Sequence, residues 1–331
     1  MRLGLVIRDG RDNPAARVRF LDLIARLDSA GYETRVLPWA PRTSSAVATS
    51  SARALALARW ADVVVLQRPV QPPPLTAALA RVNPHLVVDF DDAIWSDGRG
   101  GTYPRFDERL RAALKTARAV TAGSEHLARW ARSVTSHTLV EVIRSSVDLA
   151  AVPERTEPDV PTIVWVGTPG NFGDFSGGAL VALRELVATG RARMRIVSSE
   201  AMPRSMIETQ HVAWREDTEM SALATSTIGV MPLRDDERSR GRCGYKAIQY
   251  MAARLPVVAS PVGAGIELVH EGINGLLADG AGEWASALEQ LLDDPAAAIE
   301  AGRQGHAWVN EHASTEVVVS QLDAVLRFAA G

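Results

Sequence analysis

The chain has 331 residues, 47% hydrophobic and 23% charged, with a formal net charge of −3. This length fits two domains of about 150 residues, and the composition excludes a disordered chain. The near-neutral balance gives no ground for a nucleic-acid partner, and a single cysteine, Cys243, excludes intrachain disulfides.

The N-terminus, MRLGLVIRDGRD, predicts a short strand and a polar turn. It lacks the roughly 7–15-residue apolar core of a signal peptide. No window approaches the roughly 18 apolar residues of a membrane span, so a cytoplasmic protein is expected. Strands are predicted at Leu3–Ile7, Thr34–Leu37, Asp62–Leu66, Leu86–Asp91, Ala119–Ala122 and Leu139–Ile143. Helices are predicted between them, at Ala15–Ala30, Val47–Trp60, Pro73–Arg81, Arg105–Arg118 and Ser124–Ser133. Near-continuous apolar strands alternating with helices indicate a parallel sheet covered on both faces.

Ala151–Pro161, AVPERTEPDVP, reads as a linker because three prolines alternate with charges. The pattern then restarts: strand Thr162–Gly167, helix Gly177–Ala188, strand Met194–Ser198, helix Thr218–Thr225, strand Ile228–Pro232. A helix from near Arg242, strands Pro256–Ser260 and Gly275–Leu277, and helices from Glu283 onward complete it. The predicted class is α/β, two Rossmann-like doubly wound domains with a cleft between them. The expected boundaries are 1–152, 153–312 and a C-terminal helix within 313–331.

The stretch 241–275 carries the strongest chemistry. On an ideal helix at about 100° per residue, Arg242, Lys246 and Gln249 share a narrow arc. Ala247, Ile248, Met251 and Ala252 cover the other side. A cationic face at a strand end suits a phosphorylated ligand, with Lys246 the leading residue and Arg242 and Arg240 beside it. The same residues also suit a solvated helix face and an exposed charged loop. Gly167, Thr168, Pro169, Gly170 and Asn171 lie between strand and helix, where main-chain amides cradle phosphate; an ordinary turn reads equally well. Asp89-Phe90-Asp91-Asp92 raises a divalent-metal reading, set against helix or turn capping. Asn13 and Pro14 form a complete helix N-terminus. The histidines have no metal-ligand spacing, and Trp95 is the tryptophan best placed to line a pocket, against core burial as the default.

These motifs together resemble the GT-B glycosyltransferases, close to the family-4 retaining enzymes. The residues carrying the resemblance are 16–38, VVDFDDAIW at 87–95, IRSSVD at 143–148, WVGTPGNF at 165–172 and GYKAIQYMAARLPVVASPVG at 244–263. The resemblance implies a second domain that binds a nucleotide-sugar donor through 167–171, Arg240, Tyr245, Gln249, Gly263 and Glu267. Lys246 and Arg242 would stabilise the diphosphate leaving group. It implies a first domain that takes a small-molecule, glycan or lipid-linked acceptor. There Asp91 would act catalytically, with Arg17, Asp92 and Trp95 near the acceptor. It further implies retention of configuration, no cofactor and no obligatory metal. The chain departs from the family at its paired glutamates, aligned here with Gly241 and Gln249. It also lacks the Arg/Lys pair after the second domain's first strand, and Asp91 stands where a histidine is common. Rival readings are a nucleotide-sugar epimerase on this fold and a non-catalytic nucleotide-sugar sensor.

Overall fold

The computed structural model describes residues 1–11, 13–41, 43–175 and 178–331. The chain forms two compact units, each built on a parallel six-stranded sheet. The first unit comprises Met1–Ser146, Asp236–Cys243 and Thr315–Gly331. The second comprises Val147–Asp235 and Gly244–Ser314.

The first unit runs β1 (Arg2–Arg8), α1 (Pro14–Arg19), α2 (Ile24–Ser29), β2 (Glu33–Trp39), α3 (Ser44–Trp60), β3 (Val63–Gln67) and α4 (Pro73–Val82). It continues β4 (Leu86–Phe90), α5 (Pro104–Thr116), β5 (Ala119–Ala122), α6 (Glu125–Val134) and β6 (Leu139–Val142). The sheet order is β2-β1-β3-β4-β5-β6, so the winding reverses between β1 and β3. The single helix expected over 15–30 is broken at Phe20, whose backbone sits at φ −142°. There Phe20 enters the core while Arg19 turns inward onto Asp89.

The second unit runs β7 (Thr162–Val166), α7 (Gly178–Ala188), β8 (Arg193–Ser198), β9 (Gln210–Ala213), α8 (Glu219–Ala224) and β10 (Ile228–Met231). The chain then gives α9 (Glu237–Arg240) to the first unit. It returns with α10 (Tyr245–Ala252), β11 (Val257–Ala259), α11 (Ala264–Leu268), β12 (Gly275–Leu277), α12 (Gly280–Asp293) and α13 (Pro295–His312). The order β12-β11-β10-β7-β8-β9 reverses between β7 and β10. The expected helix start at Gly177 lies outside the described residues.

The last helix, α14 (Thr315–Ala330), belongs to the first unit. It buries Val318, Leu322, Val325 and Leu326 against Leu3, Leu5 and Phe20. Tyr32 OH fixes it by donating to Asp323 Oδ1 at 2.7 Å. The segment 151–161, read as a linker, lies within the second unit, with Thr156 N–H donating to Ala224 O at 2.9 Å. Among the described residues no helix is long and apolar enough to cross a membrane.

Candidate functional site

Open parallel sheets take ligands where strand order reverses, beyond the C-terminal strand ends. In the second unit that place is the end of β7, where the chain leaves through Gly167. A Cβ at 167 would lie 2.7 Å from the Trp165 ring and 2.9 Å from Lys246 Cε. Glycine is therefore what lets the lysine stem cross the strand end. Lys246 is half-buried, its Nζ 5.4 Å from the Trp165 ring centre in a cation–π contact.

Beyond Gly167, Pro169–Phe175 form a 3-10 turn. Phe172 and Phe175 pin it, each with its ring centre 5.5 Å from that of Trp165. Asn171 N–H donates to Thr168 O at 3.0 Å and Asn171 Nδ2 to Thr168 Oγ1 at 3.3 Å. Thr168 and Gly170 are exposed, and Pro169 and Asn171 half-buried. The loop is thus held in one shape with its crown toward solvent.

The helix expected from near Arg242 begins instead at Tyr245. Gly244, at φ +71°, turns the chain there, and a Cβ would meet Leu268 Cδ1 at 2.5 Å. Arg242 is therefore not on the helix, which corrects the shared arc expected with Lys246 and Gln249. Tyr245, the first helical residue, is half-buried. Gln249 is only 2% exposed, and its Nε2 is buried without a hydrogen-bond partner. An exposed polar position is thus ruled out for it. Gly263, at φ +52°, precedes α11, which carries a half-buried Glu267.

Tyr250 was not singled out from sequence. Its OH accepts from Val166 N–H and donates to Val230 O, both at 3.1 Å, tying α10 across the β7/β10 reversal. Burial pushes its phenol well above the usual range. Gly229 lies under this ring, where a Cβ would collide with it.

In the first unit the acids at the end of β4 have divergent surroundings. Asp89 is fully buried; Arg19 forks onto both its oxygens, and Thr121 Oγ1 donates to Oδ1 at 2.6 Å. Arg19 also donates to Ile143 O, joining α1 to the exit of β6. Asp89 is thereby a structural ion-pair member, with both oxygens taken up by Arg19 and Thr121. Among the described residues no group of three or more His, Cys, Asp or Glu is arranged to hold a metal.

Asp91 is 7% exposed, and its Oδ1 accepts from Arg68 Nε at 2.5 Å. Arg68 follows β3 in a left-handed conformation, φ +44°, with its N–H donating to Asp89 O at 2.7 Å. Burial opposes the Arg68 charge, yet Asp91 and Asp92 hold the guanidinium above its ordinary value. Arg68 Nη2 lies 3.7 Å from Asp92 Oδ2, while Asp92 Oδ1 is buried without a partner. Burial raises the Asp92 acid; the charges of Arg68, Arg242 and Arg238 pull the other way. Nothing in the sequence marks Arg68, because a left-handed arginine has no composition signal.

Trp95 is 4% exposed, stacked on Trp130 at 3.8 Å and edge-on to Phe90. It is a core ring, which corrects its placement as a pocket wall. Arg17 is 7% exposed within α1, whose cap is Asn13 Oδ1 accepting from Ala15 N–H at 3.0 Å. Arg240 is exposed at the end of α9, and Arg242 is half-buried just beyond it. Asp91, Asp92, Trp95, Arg17, Arg240 and Arg242 thus belong to the first unit. Residues 167–171, Tyr245, Lys246, Gln249, Gly263 and Glu267 belong to the second.

Residues 161–294 match the family model described as "Glycosyl transferases group 1". The D-inositol 3-phosphate glycosyltransferase of Pseudarthrobacter chlorophenolicus is 31% identical over 159 residues, 47% of this chain and 33% of that protein. The chain thus spans about a third of the length of that relative. Among solved structures, sucrose-phosphate synthase from Thermosynechococcus elongatus matches over 100% of both chains, with TM-score 0.79 and 16% identity. The Anabaena protein HepE in complex with UDP-glucose matches over 99% of both, with TM-score 0.74 and 14% identity. Two parallel six-stranded units with these neighbours define the GT-B fold. The family match lies mainly within the second unit, and the likeness to these neighbours gives the fold of the chain as a whole.

Proposed function

We propose that the chain is a retaining glycosyltransferase that moves a sugar from a nucleoside-diphosphate donor to a hydroxyl acceptor without a metal. The observation that carries this reading is Lys246 laid across Gly167 at the β7/β10 reversal. Breaking the bond to the anomeric carbon leaves charge on the diphosphate, so fixed positive groups there lower the barrier. Lys246 and the amides opening α10 supply them, with the 167–171 turn beside them. Buried Gln249 would give its uncommitted Nε2–H to a ribose or sugar hydroxyl, and Glu267 would meet the sugar. The first unit would contribute Asp91, held by Arg68, to orient sugar or acceptor. A departing phosphate oxygen would take the acceptor proton. A neighbour crystallised with UDP-glucose supports a uridine donor, and cytoplasmic work follows from the use of nucleotide sugars.

Calorimetry with UDP tests the site. Lys246→Ala should weaken binding by about 1.5–3 kcal/mol, the loss of a charge-assisted hydrogen bond; unaltered affinity removes Lys246 from the site. Asp91→Asn should lower UDP-glucose turnover more than UDP affinity, and EDTA should leave turnover intact. A sensor is the second reading, favoured by the neutral Gly241 and Gln249. UDP binding with neither donor hydrolysis nor transfer would support it.

A further inference from the structure

Charge is shared unevenly between the units. The first carries 25 Lys and Arg against 18 Asp and Glu, a net +7, and the second 11 against 21, a net −10. The near-neutral total thus hides a strongly basic half, which is the electrostatic footprint of an anionic partner.

The excess lies on one layer of helices. α3, α4, α5 and α6 cover one face of the first sheet, where Ala54, Leu79, Leu114 and Leu127 share a core with Leu66 and Val88. α4 lies against α3 and α5, and α5 against α6, so the layer is continuous. Its helices hold nine Lys and Arg and three acids. Of the acids, Asp107 accepts from Arg111, and Glu125 lies 3.7 Å from Arg132. Arg53, Arg59, Arg81, Arg105, Lys115 and Arg129 are exposed and have no ion-pair or hydrogen-bond partner among the described residues. On the opposite face, by contrast, α2 and α14 match Arg26 with Glu316 and Arg327 with Asp323. Burial, and then the like charge of Arg105 one turn away, lower the Arg109 guanidinium below its ordinary value. Cations at that spacing repel each other, and an external anion would relieve them.

Four helices with axes roughly 8–10 Å apart make a plane about 30 Å across. Unpaired cations spread over such a plane suit an extended anionic surface, whereas duplex recognition inserts one helix or ribbon into a groove. Tyr103, 46% exposed at the start of α5 and edge-on to Phe106, adds a ring with one apolar and one wet end, suited to the headgroup level of a bilayer. A second copy could offer its acidic unit, but such a head-to-tail contact does not close on itself. We infer that the α3–α6 layer docks the protein on an anionic lipid bilayer, whose phosphates meet Arg53, Arg59, Arg81, Arg105, Lys115 and Arg129. The attraction acts within a Debye length, about 8 Å at physiological salt, and the acidic second unit contributes none of it.

The test is co-sedimentation of the full chain, without nucleotide, with vesicles of phosphatidylcholine alone or mixed equally with phosphatidylglycerol. The protein should bind the mixed vesicles at about 0.1 M salt, leave the neutral ones in solution, and come off the mixed ones at about 0.5 M. Each cation near an anionic surface is worth about fivefold in binding, so Arg105→Gln, Lys115→Gln and Arg129→Gln together should weaken it about 100-fold. Melting temperature and UDP affinity should hold in that variant, because the three side chains are exposed and unpaired. Arg193→Gln, Arg204→Gln and Arg303→Gln together, the same charge change in the second unit, should leave vesicle binding within a few-fold of wild type. Equal binding to neutral vesicles, no binding to the mixed ones, or full binding by the first triple variant would each overturn the inference. So would a DNA duplex bound more tightly than the mixed vesicles at the same salt. Salt-sensitive oligomers in vesicle-free sedimentation that the first triple variant dissolves would assign the layer to a second copy instead, and would overturn it too.

Discussion

Gly241 packs flat against Ala93: a Cβ at 241 would collide with Ala93 Cβ and come within 3.2 Å of its Cα. This contact holds the 236–243 segment on the acid turn of the first unit, helped by His126 Nε2 at 3.1 Å from Glu237 Oε1. By the resemblance drawn from the sequence, position 241 takes the place of one of the paired glutamates, and here the packing leaves no room for a side chain. Gly241→Glu should therefore destabilise the protein by about 1–3 kcal/mol, as over-packing does, without raising turnover. Urea denaturation beside a UDP-glucose turnover assay checks both halves. An unshifted midpoint would show that the contact yields freely.

The buried Arg19–Asp89 pair ties α1, β4, β5 and the exit of β6 together. Removing one member strands the other charge in an apolar interior, so Asp89→Leu or Arg19→Met should each cost about 3–5 kcal/mol. Arg19→Met combined with Asp89→Leu should recover most of that loss, because no unpaired charge remains. Denaturant midpoints of the three variants decide the matter. Additive losses in the double variant would mean that the residues act separately.

Asp92 should make stability fall as pH rises. Burial raises its acid above the ordinary value of 3.8, so the folded chain keeps this proton more tightly than the unfolded chain. Between that value and the raised one, ionising Asp92 erodes stability, and above both the full penalty is present. Asp92→Asn should be more stable than wild type near neutrality, and the two should converge toward pH 4 and below. Melting temperatures across that range test the sign. If Asp92 contacts substrate, the stabilised variant should also turn over more slowly.

The strand framework was legible because buried parallel strands write themselves as apolar runs. Ala119–Ala122 and Gly275–Leu277 fall where that pattern predicts them. Gln210–Ala213 escaped notice since an exposed edge strand carries no apolar run. Lys246 and Gly167 could be picked from strand ends and helix faces, and they do come together. The start of α10 could not, because Gly244 reads as one more glycine until Leu268 and Ala264 are packed against it.

His306 should impose the opposite pH dependence to Asp92. Its Nδ1 lies 2.9 Å from Ala252 O, which can only accept, so that nitrogen carries the proton. Nε2 is then the acceptor for Arg254 Nη2 at 3.3 Å, and protonating it would set two cations face to face. Burial, with Arg254 adding to it, lowers the His306 value below 6.5. As pH falls through 6.5 the unfolded chain takes up this proton first, so stability is intact above that pH and declines as pH drops toward the lowered folded value. The imidazole anchors α13 to the end of α10, the helix that carries Lys246, so UDP affinity should weaken over the same interval. His306→Gln, neutral throughout, should flatten both curves. Parallel pH titrations of melting temperature and UDP affinity in the two proteins provide the check, and identical slopes would mean that His306 does not govern this helix contact.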